Sequence, residues 1–167
     1  MISRARARLL LFLGVMSAGF LAAPAYAQSA STTFDVTITI TGTCSIDTPA
    51  ATDVAFGTQP STATEIDADG LLNVNCTPGT AFEIALDEGL NGTDIGSRAM
   101  SDGTTEVPYQ LYRDPARSLV WGETLGTDTF SGTGTGAVQP IPVYGRVPSA
   151  NFPAAAYSDT VTATITY

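Results

Sequence analysis

The 167-residue chain contains no histidine and no lysine; its seven basic residues are all arginine (Arg4, Arg6, Arg8, Arg98, Arg113, Arg117 and Arg146). Histidine is the common general base near neutral pH and the commonest metal ligand. Its absence excludes Ser-His-Asp and Cys-His catalysis and His-based zinc sites. Without lysine there is no Schiff base, no Walker-type phosphate site and no Ser-Lys dyad. Positive charge is scarce as well. Sixteen acids give a formal charge of −9, but three of the seven arginines lie within the first eight residues. A product that begins at residue 28 keeps four arginines against sixteen acids, a charge of −12. Such a surface repels a phosphate backbone and an anionic membrane face.

What is present begins with an address label. Arg4, Arg6 and Arg8 precede an apolar stretch that starts at Leu9 and runs to Ala23, followed by Ala25-Tyr26-Ala27 and then Gln28. A charged region, a short apolar region and an A-x-A site form a secretory signal peptide. The rival, a membrane anchor, needs about 20 apolar residues. Removal of residues 1–27 would leave 140 residues, one ordinary domain, and no later segment is apolar enough to span a membrane. The two cysteines, Cys44 and Cys76, both lie in the exported part. An even pair in an oxidising compartment reads as a disulfide. A reactive thiol would need nearby positive charge to lower its pKa, and no basic residue lies between positions 47 and 87.

The exported part alternates like strands. Phe34, Val36, Ile38 and Ile40 alternate with Asp35, Thr37, Thr39 and Thr41. A loop after Cys44-Ser45-Ile46 leads to Val54-Ala55-Phe56-Gly57. Leu72, Val74 and Cys76 come next, then Phe82, Ile84 and Leu86, then Val107, Tyr109 and Leu111. Leu119-Val120-Trp121 is a short strand, and Val138, Ile141 and Val143 mark another. Val161, Ala163, Ile165 and Tyr167 alternate with threonines at the end. Several short strands with frequent Gly and Pro turns predict an all-β sandwich. Both ends are β-branched strands with threonine on the polar face. They either pair inside the sandwich, or one is left for another chain, as in donor-strand complementation. Periodicity alone leaves both readings open.

Cys44-Ser45-Ile46, Phe56-Gly57, Val74-Asn75-Cys76-Thr77, Pro108-Tyr109-Gln110-Leu111-Tyr112-Arg113-Asp114, Ile141-Pro142-Val143-Tyr144-Gly145-Arg146 and Tyr157-Ser158-Asp159-Thr160-Val161 occur in that order. With them the chain resembles the spore coat protein U domain family, which includes subunits of Csu-type (archaic) chaperone–usher pili. Trp121-Gly122 fits the same pattern. The resemblance covers the whole exported part. It implies an incomplete immunoglobulin-like β-sandwich, completed first by a periplasmic chaperone strand and then by the N-terminal segment of the next subunit. On this basis residues 28–43 are the donor segment and 44–167 the sandwich. Phe34, Val36, Ile38 and Ile40 would enter a neighbour's groove, with Thr33, Asp35, Thr37, Thr39 and Thr41 outward. Val161, Ala163, Ile165 and Tyr167 would line the edge where the chaperone and donor strands dock, and the Tyr167 carboxylate would anchor the chaperone. The cysteine pair would pin the first strand to the second.

Other candidates carry little. Asp67-Ala68-Asp69-Gly70 has a calcium-loop flavour without the other ligands, and reads as a solvated acidic turn. Asp87-Glu88 with Asp94 could be a carboxylate pair for glycoside hydrolysis, but surface acids are abundant here. Asn91-Gly92-Thr93 and Asn75-Cys76-Thr77 match the glycosylation pattern, which is short enough to arise by chance. Trp121 reads as core or interface, and Arg113 and Arg117 as local partners of Asp114. No catalytic, cofactor-binding or metal-ligating residue is assigned. The expected function is a structural subunit of a cell-surface chaperone–usher fibre, exported through the periplasm and supporting adhesion or biofilm formation. Its partners would be identical or related subunits, a periplasmic chaperone and an outer-membrane usher, with no nucleic acid and no membrane insertion. The alternatives are a secreted spore-coat or surface-matrix protein of the same fold and, further off, a secreted carbohydrate-binding module or enzyme.

Overall fold

The computed structural model describes residues 26–46 and 50–167. Most of the expected leader, through residue 25, lies outside the described residues. The chain divides into a first unit ending at Ile38 and a second, Thr39–Tyr167, which holds every strand among the described residues.

The strands are β1 (Cys44–Ile46), β2 (Thr64–Cys76), β3 (Ala81–Leu86), β4 (Ala99–Ser101), β5 (Glu106–Pro108), β6 (Gln110–Tyr112), β7 (Phe130–Thr133), β8 (Gln139–Ser149) and β9 (Ala163–Thr166). No helix occurs among the described residues. One antiparallel sheet runs β1-β2-β8-β6 and a second runs β7-β3-β9, with a small β4-β5 ribbon beside them. The alternation in β3 faces Phe82, Ile84 and Leu86 inward, while β2 turns Ile66, Val74 and Cys76 to the same core. Period-2 side chains on both sheets thus meet in one interior, the arrangement of an immunoglobulin-like sandwich. Trp121 is fully buried there. Its indole N–H donates to the Ile84 carbonyl at 2.8 Å, and its ring centroid lies 5.6 Å from that of Phe130.

Four local readings change. Asp67 to Gly70 is not a turn but the middle of β2, paired with Tyr144, Gly145 and Arg146 and with Val143 of β8. Asp and Gly disfavour strands, but here partners across the sheet override that preference. Arg146 bonds Asp67 at 2.7 Å, and Arg117 bonds Asp69 at 2.6 Å. Arg117 is therefore spent on β2. The Asp114 carboxylate instead accepts from the amides of Ser118 and Leu119 at 3.0 and 2.7 Å. Val107, Tyr109 and Leu111 do not share one strand. Tyr109 separates β5 from β6, and its amide donates to the Arg98 carbonyl at 3.0 Å, so the chain changes sheets there. Leu119 to Trp121 supplies only the single bridge between Val120 and Tyr112.

β8 tolerates three prolines because its third-strand neighbour is short. β6 covers only Tyr144–Arg146, so Pro140, Pro142 and Pro148 sit where β8 has β2 on one side and no ladder on the other. Cys44 and Cys76 are register partners across β1 and β2 and are joined by a disulfide. Since β1 has only three residues, this bond carries much of its attachment. Closing a loop with a sequence separation of 32 is worth about 3–4 kcal/mol by chain entropy. Replacing both cysteines by alanine should lower unfolding stability by about that amount in urea titration, and reductant should reproduce the loss in the parent chain.

Candidate binding groove

The interior is closed at one end and open at the other. Towards the disulfide, Val74, Cys76, Phe82, Ile84 and Trp121 are all buried. Towards the opposite end the two sheets, with the 52–61 and 152–161 segments, border an open cavity of about 1150 Å³. Its walls include Ile66 and Leu72 of β2, Val143 and Val147 of β8, Leu86 at the end of β3, and Val161 and Ala163. Among the described residues β9 pairs with β3 alone, so one side of this strand has no ladder. An apolar trough beside a one-sided strand offers unsatisfied main-chain groups and unfilled apolar surface together.

The final segment reaches that position through polar anchors. Ser158 and Ser101 exchange two main-chain hydrogen bonds of 2.9 and 3.1 Å. Asp159 Oδ1 accepts from the amides of Leu90 and Asn91 and from Asn91 Nδ2, at 2.9, 3.2 and 2.9 Å. Its other oxygen accepts from the Tyr109 hydroxyl at 2.6 Å. Asp87 Oδ1 accepts from the amides of Thr162 and Gly89 at 2.8 and 3.0 Å. Beneath these carboxylates lies Arg98, with 0% exposure. Its guanidinium donates to the carbonyls of Leu86 and Asp87 and to Gln110 Oε1, at 2.7 to 2.9 Å. Burial lowers the affinity of Arg98 for its proton, against the opposing pull of Tyr109, Asp87, Asp128 and Asp159. Burial and the Asp159 hydrogen bond both raise the Tyr109 hydroxyl well above its usual range. These bonds join protein groups to one another, and Tyr109 and Asp159 also stand on the cavity wall, so the node fixes the final segment against the groove.

The residues singled out in the sequence are placed as follows. Phe34, Val36, Ile38 and Ile40 are 76–86% exposed, and no residue from 28 to 43 belongs to a strand. Val161 and Ala163 stand on the cavity wall. Ile165 pairs opposite Ile84, within the closed half. Tyr167 is 60% exposed and borders a separate hollow of about 250 Å³ beside Ala81 and Phe82. Among the described residues no group of three or more His, Cys, Asp or Glu side chains is arranged to hold a metal. Sequence reasoning missed Arg98, Tyr109 and Asp159 as one node. An arginine flanked by Ser97 and Ala99 gives no local sign of burial.

The family model for the Spore Coat Protein U domain matches residues 30–164. The chain belongs to the spore coat protein U domain family. Protein U of Myxococcus xanthus is 34% identical to it over 159 residues, covering 86% of this chain and 88% of that protein. The sandwich is also similar to a chain in the crystal structure of a chaperone–tip adhesion subunit pre-assembly complex from the archaic chaperone–usher Csu pili of Acinetobacter baumannii. The TM-score is 0.57 at 22% identity, over 77% of this chain. At that identity the likeness shows a shared fold, and this chain spans 40% of the length of its match. No helix among the described residues is long and apolar enough to cross a membrane.

The polar node makes two predictions. Arg98→Met leaves the Leu86 and Asp87 carbonyls without their buried donor, which should cost about 2–6 kcal/mol at about 1–3 kcal/mol per orphaned group, read by urea unfolding. Asp87 is half-buried, and although burial pushes its pKa up, the bonds from Thr162 and Gly89 pull it below the usual range. A carboxyl depressed in the folded state stabilises above its unfolded pKa of about 3.9 and loses that contribution as pH falls through the folded value. Stability should therefore decline below about pH 4. Asp87→Asn should flatten that acid limb in thermal scans from pH 6 to pH 2.5. An unchanged slope would contradict the assignment.

Proposed function

We propose that this protein is a structural subunit that polymerises by strand uptake, the groove of one copy receiving residues 33–41 of the next. One observation carries the reading: an exposed apolar-alternating segment and an apolar groove beside a one-sided strand occur in the same chain. Their dimensions agree. Phe34 to Ile40 and Ile66 to Leu72 are each six residue steps, about 20 Å of strand. The main chain of an incoming segment would supply the second ladder of β9, and its alternate side chains would fill the trough and set register. Burying four such side chains contributes about 6–12 kcal/mol gross by transfer, before ordering costs. Family membership and the shared fold with a chain of a pilus pre-assembly complex support a structural role.

In this reading residues 1–27 are a removed signal peptide, 28–43 the donor segment and 44–167 the acceptor sandwich. A periplasmic chaperone would occupy the groove in transit, contacting Val161, Ala163, Ile165 and Tyr167, and an outer-membrane usher would release subunits into a surface fibre that supports adhesion. The similarity to Protein U of Myxococcus xanthus favours a second reading, a coat or matrix protein of the same fold. That reading predicts a chain whose N-terminal segment is dispensable for assembly.

Purified protein from the periplasm, loaded unboiled on a denaturing gel, should show a ladder that collapses on boiling. A variant lacking residues 28–41 should fold with a chaperone yet add no rungs. Ile38→Asp should weaken association at least about tenfold, since one lost apolar burial is worth about 1.5–3 kcal/mol. It should leave the chaperone complex intact. A stable monomer that unfolds more easily without residues 28–41 would show instead that the segment completes its own domain.

A further inference from the structure

The groove is not walled by the two sheets alone. On the inner face of β2 the positions between Ile66 and Leu72 are Ala68 and Gly70, and Gly145 of β8 pairs with Ala68. Into this bare patch the 50–61 segment inserts Val54 and Phe56. A Cβ on Gly70 would stand 2.6 Å from the Thr52 carbonyl oxygen and 2.8 Å from a Val54 methyl carbon. A Cβ on Gly145 would stand 2.5 Å from Val54 and 2.9 Å from the tip of Phe56. The two glycines are thus the seat of the two apolar side chains, whose other faces line the cavity. Both side chains are half-buried, while Thr52, Asp53, Ala55 and residues 57–61 are exposed. The segment meets β2 through a bridge in which Thr52 and Leu71 exchange bonds of 2.9 and 3.1 Å, and Asn73 Nδ2 donates to the Ala50 carbonyl at 3.1 Å.

We propose that Val54 and Phe56, seated on Gly70 and Gly145, set the size of the apolar side chain that the groove accepts from a second copy of this chain. The inference rests on the strand-uptake reading above and adds to it a determinant of selectivity. The two sheets hold their spacing through a packed core, so they define the trough's length. The 50–61 segment lies outside both ladders, attached by the Thr52–Leu71 bridge, by the Asn73 side chain and by two seated side chains, so substitutions at Val54 and Phe56 change depth without disturbing either ladder. A subunit with a smaller residue at 56 would take a larger donor side chain, and one with bulk at 70 or 145 a smaller one. Pairing between related subunits would follow this fit as well as main-chain complementarity.

The test uses the full exported chain and the temperature at which the unboiled ladder collapses. Phe56→Leu and Phe56→Ala should lower that temperature, the second more than the first. One enlarging donor substitution in the same chain, Val36→Phe, Ile38→Phe or Ile40→Phe, should restore it. The same enlargement in the parent background should lower it. Gly145→Ala, which pushes Val54 and Phe56 towards the cavity, should also lower it and should not be rescued by enlargement. The inference is overturned if no donor substitution rescues either Phe56 variant, because a purely structural Phe56 would lower the temperature equally with every donor. It is overturned too if Phe56→Leu changes nothing. Absence of any ladder from the parent chain would instead bring down strand uptake itself, and this inference with it.

Discussion

The rest of the structure depends on a strand that is hydrogen-bonded on one side only. β9 pairs with β3 among the described residues, and the trough beside it is lined by Val161 and Ala163 on one wall and by Ile66 and Val147 on another. Exposed apolar surface and an unpaired edge are each a liability in a soluble domain. In the proposed strand uptake a single extended segment would relieve both. Such an edge must be held in place. Asp159 and Asp87 fasten the approach to β9 from the 87–91 loop, with Arg98 buried beneath them. These polar bonds hold the edge where apolar packing is missing, and the disulfide end supplies the packing that the open end lacks.

The composition suits such an object. The proposed strand uptake would work by main-chain pairing and apolar fit, which need no titratable group near neutral pH, and the chain has neither histidine nor lysine. Each of the four arginines after residue 28 serves the fold. Arg98 ties the β3 end to the β6 start, Arg113 donates to the Thr129 carbonyl at 2.6 Å, and Arg117 and Arg146 neutralise Asp67 and Asp69 on β2. Arg117 also lies 5.7 Å from the centre of the Tyr144 ring. The remaining carboxylates leave a strongly acidic surface, which favours mutual repulsion between copies of the chain.

The sequence pattern made the sandwich legible where alternation was clean and unopposed. Phe82, Ile84 and Leu86 became β3, and the terminal Val-Ala-Ile alternation became β9 with its approach. It failed where partners distant in sequence decide the outcome. Asp67-Ala68-Asp69-Gly70 looks like a turn in isolation, because its stabilising arginines lie 48 and 79 residues away. Gly70 and Gly145 are bare so that Val54 can lie across both and Phe56 across Gly145. The Val107–Leu111 alternation is real but spans a change of sheet at Tyr109, which period-2 counting cannot detect. The alternation from Phe34 to Ile40 is as regular as any in the chain, yet it forms no strand here. A strand needs a neighbour, and the pattern records only that one side of the segment is apolar.

Photo-crosslinking between isotopically distinct copies tests the central claim most directly. A benzophenone amino acid replaces Phe34 in heavy-isotope chains, which are mixed with unmodified light chains before assembly. Irradiation should join residue 34 of a heavy chain to light-chain peptides from the groove, those carrying Ile66–Leu72, Val143–Val147 or Val161–Ala163. Crosslinks confined to heavy chains at all mixing ratios, or mapping outside the groove, would contradict the account.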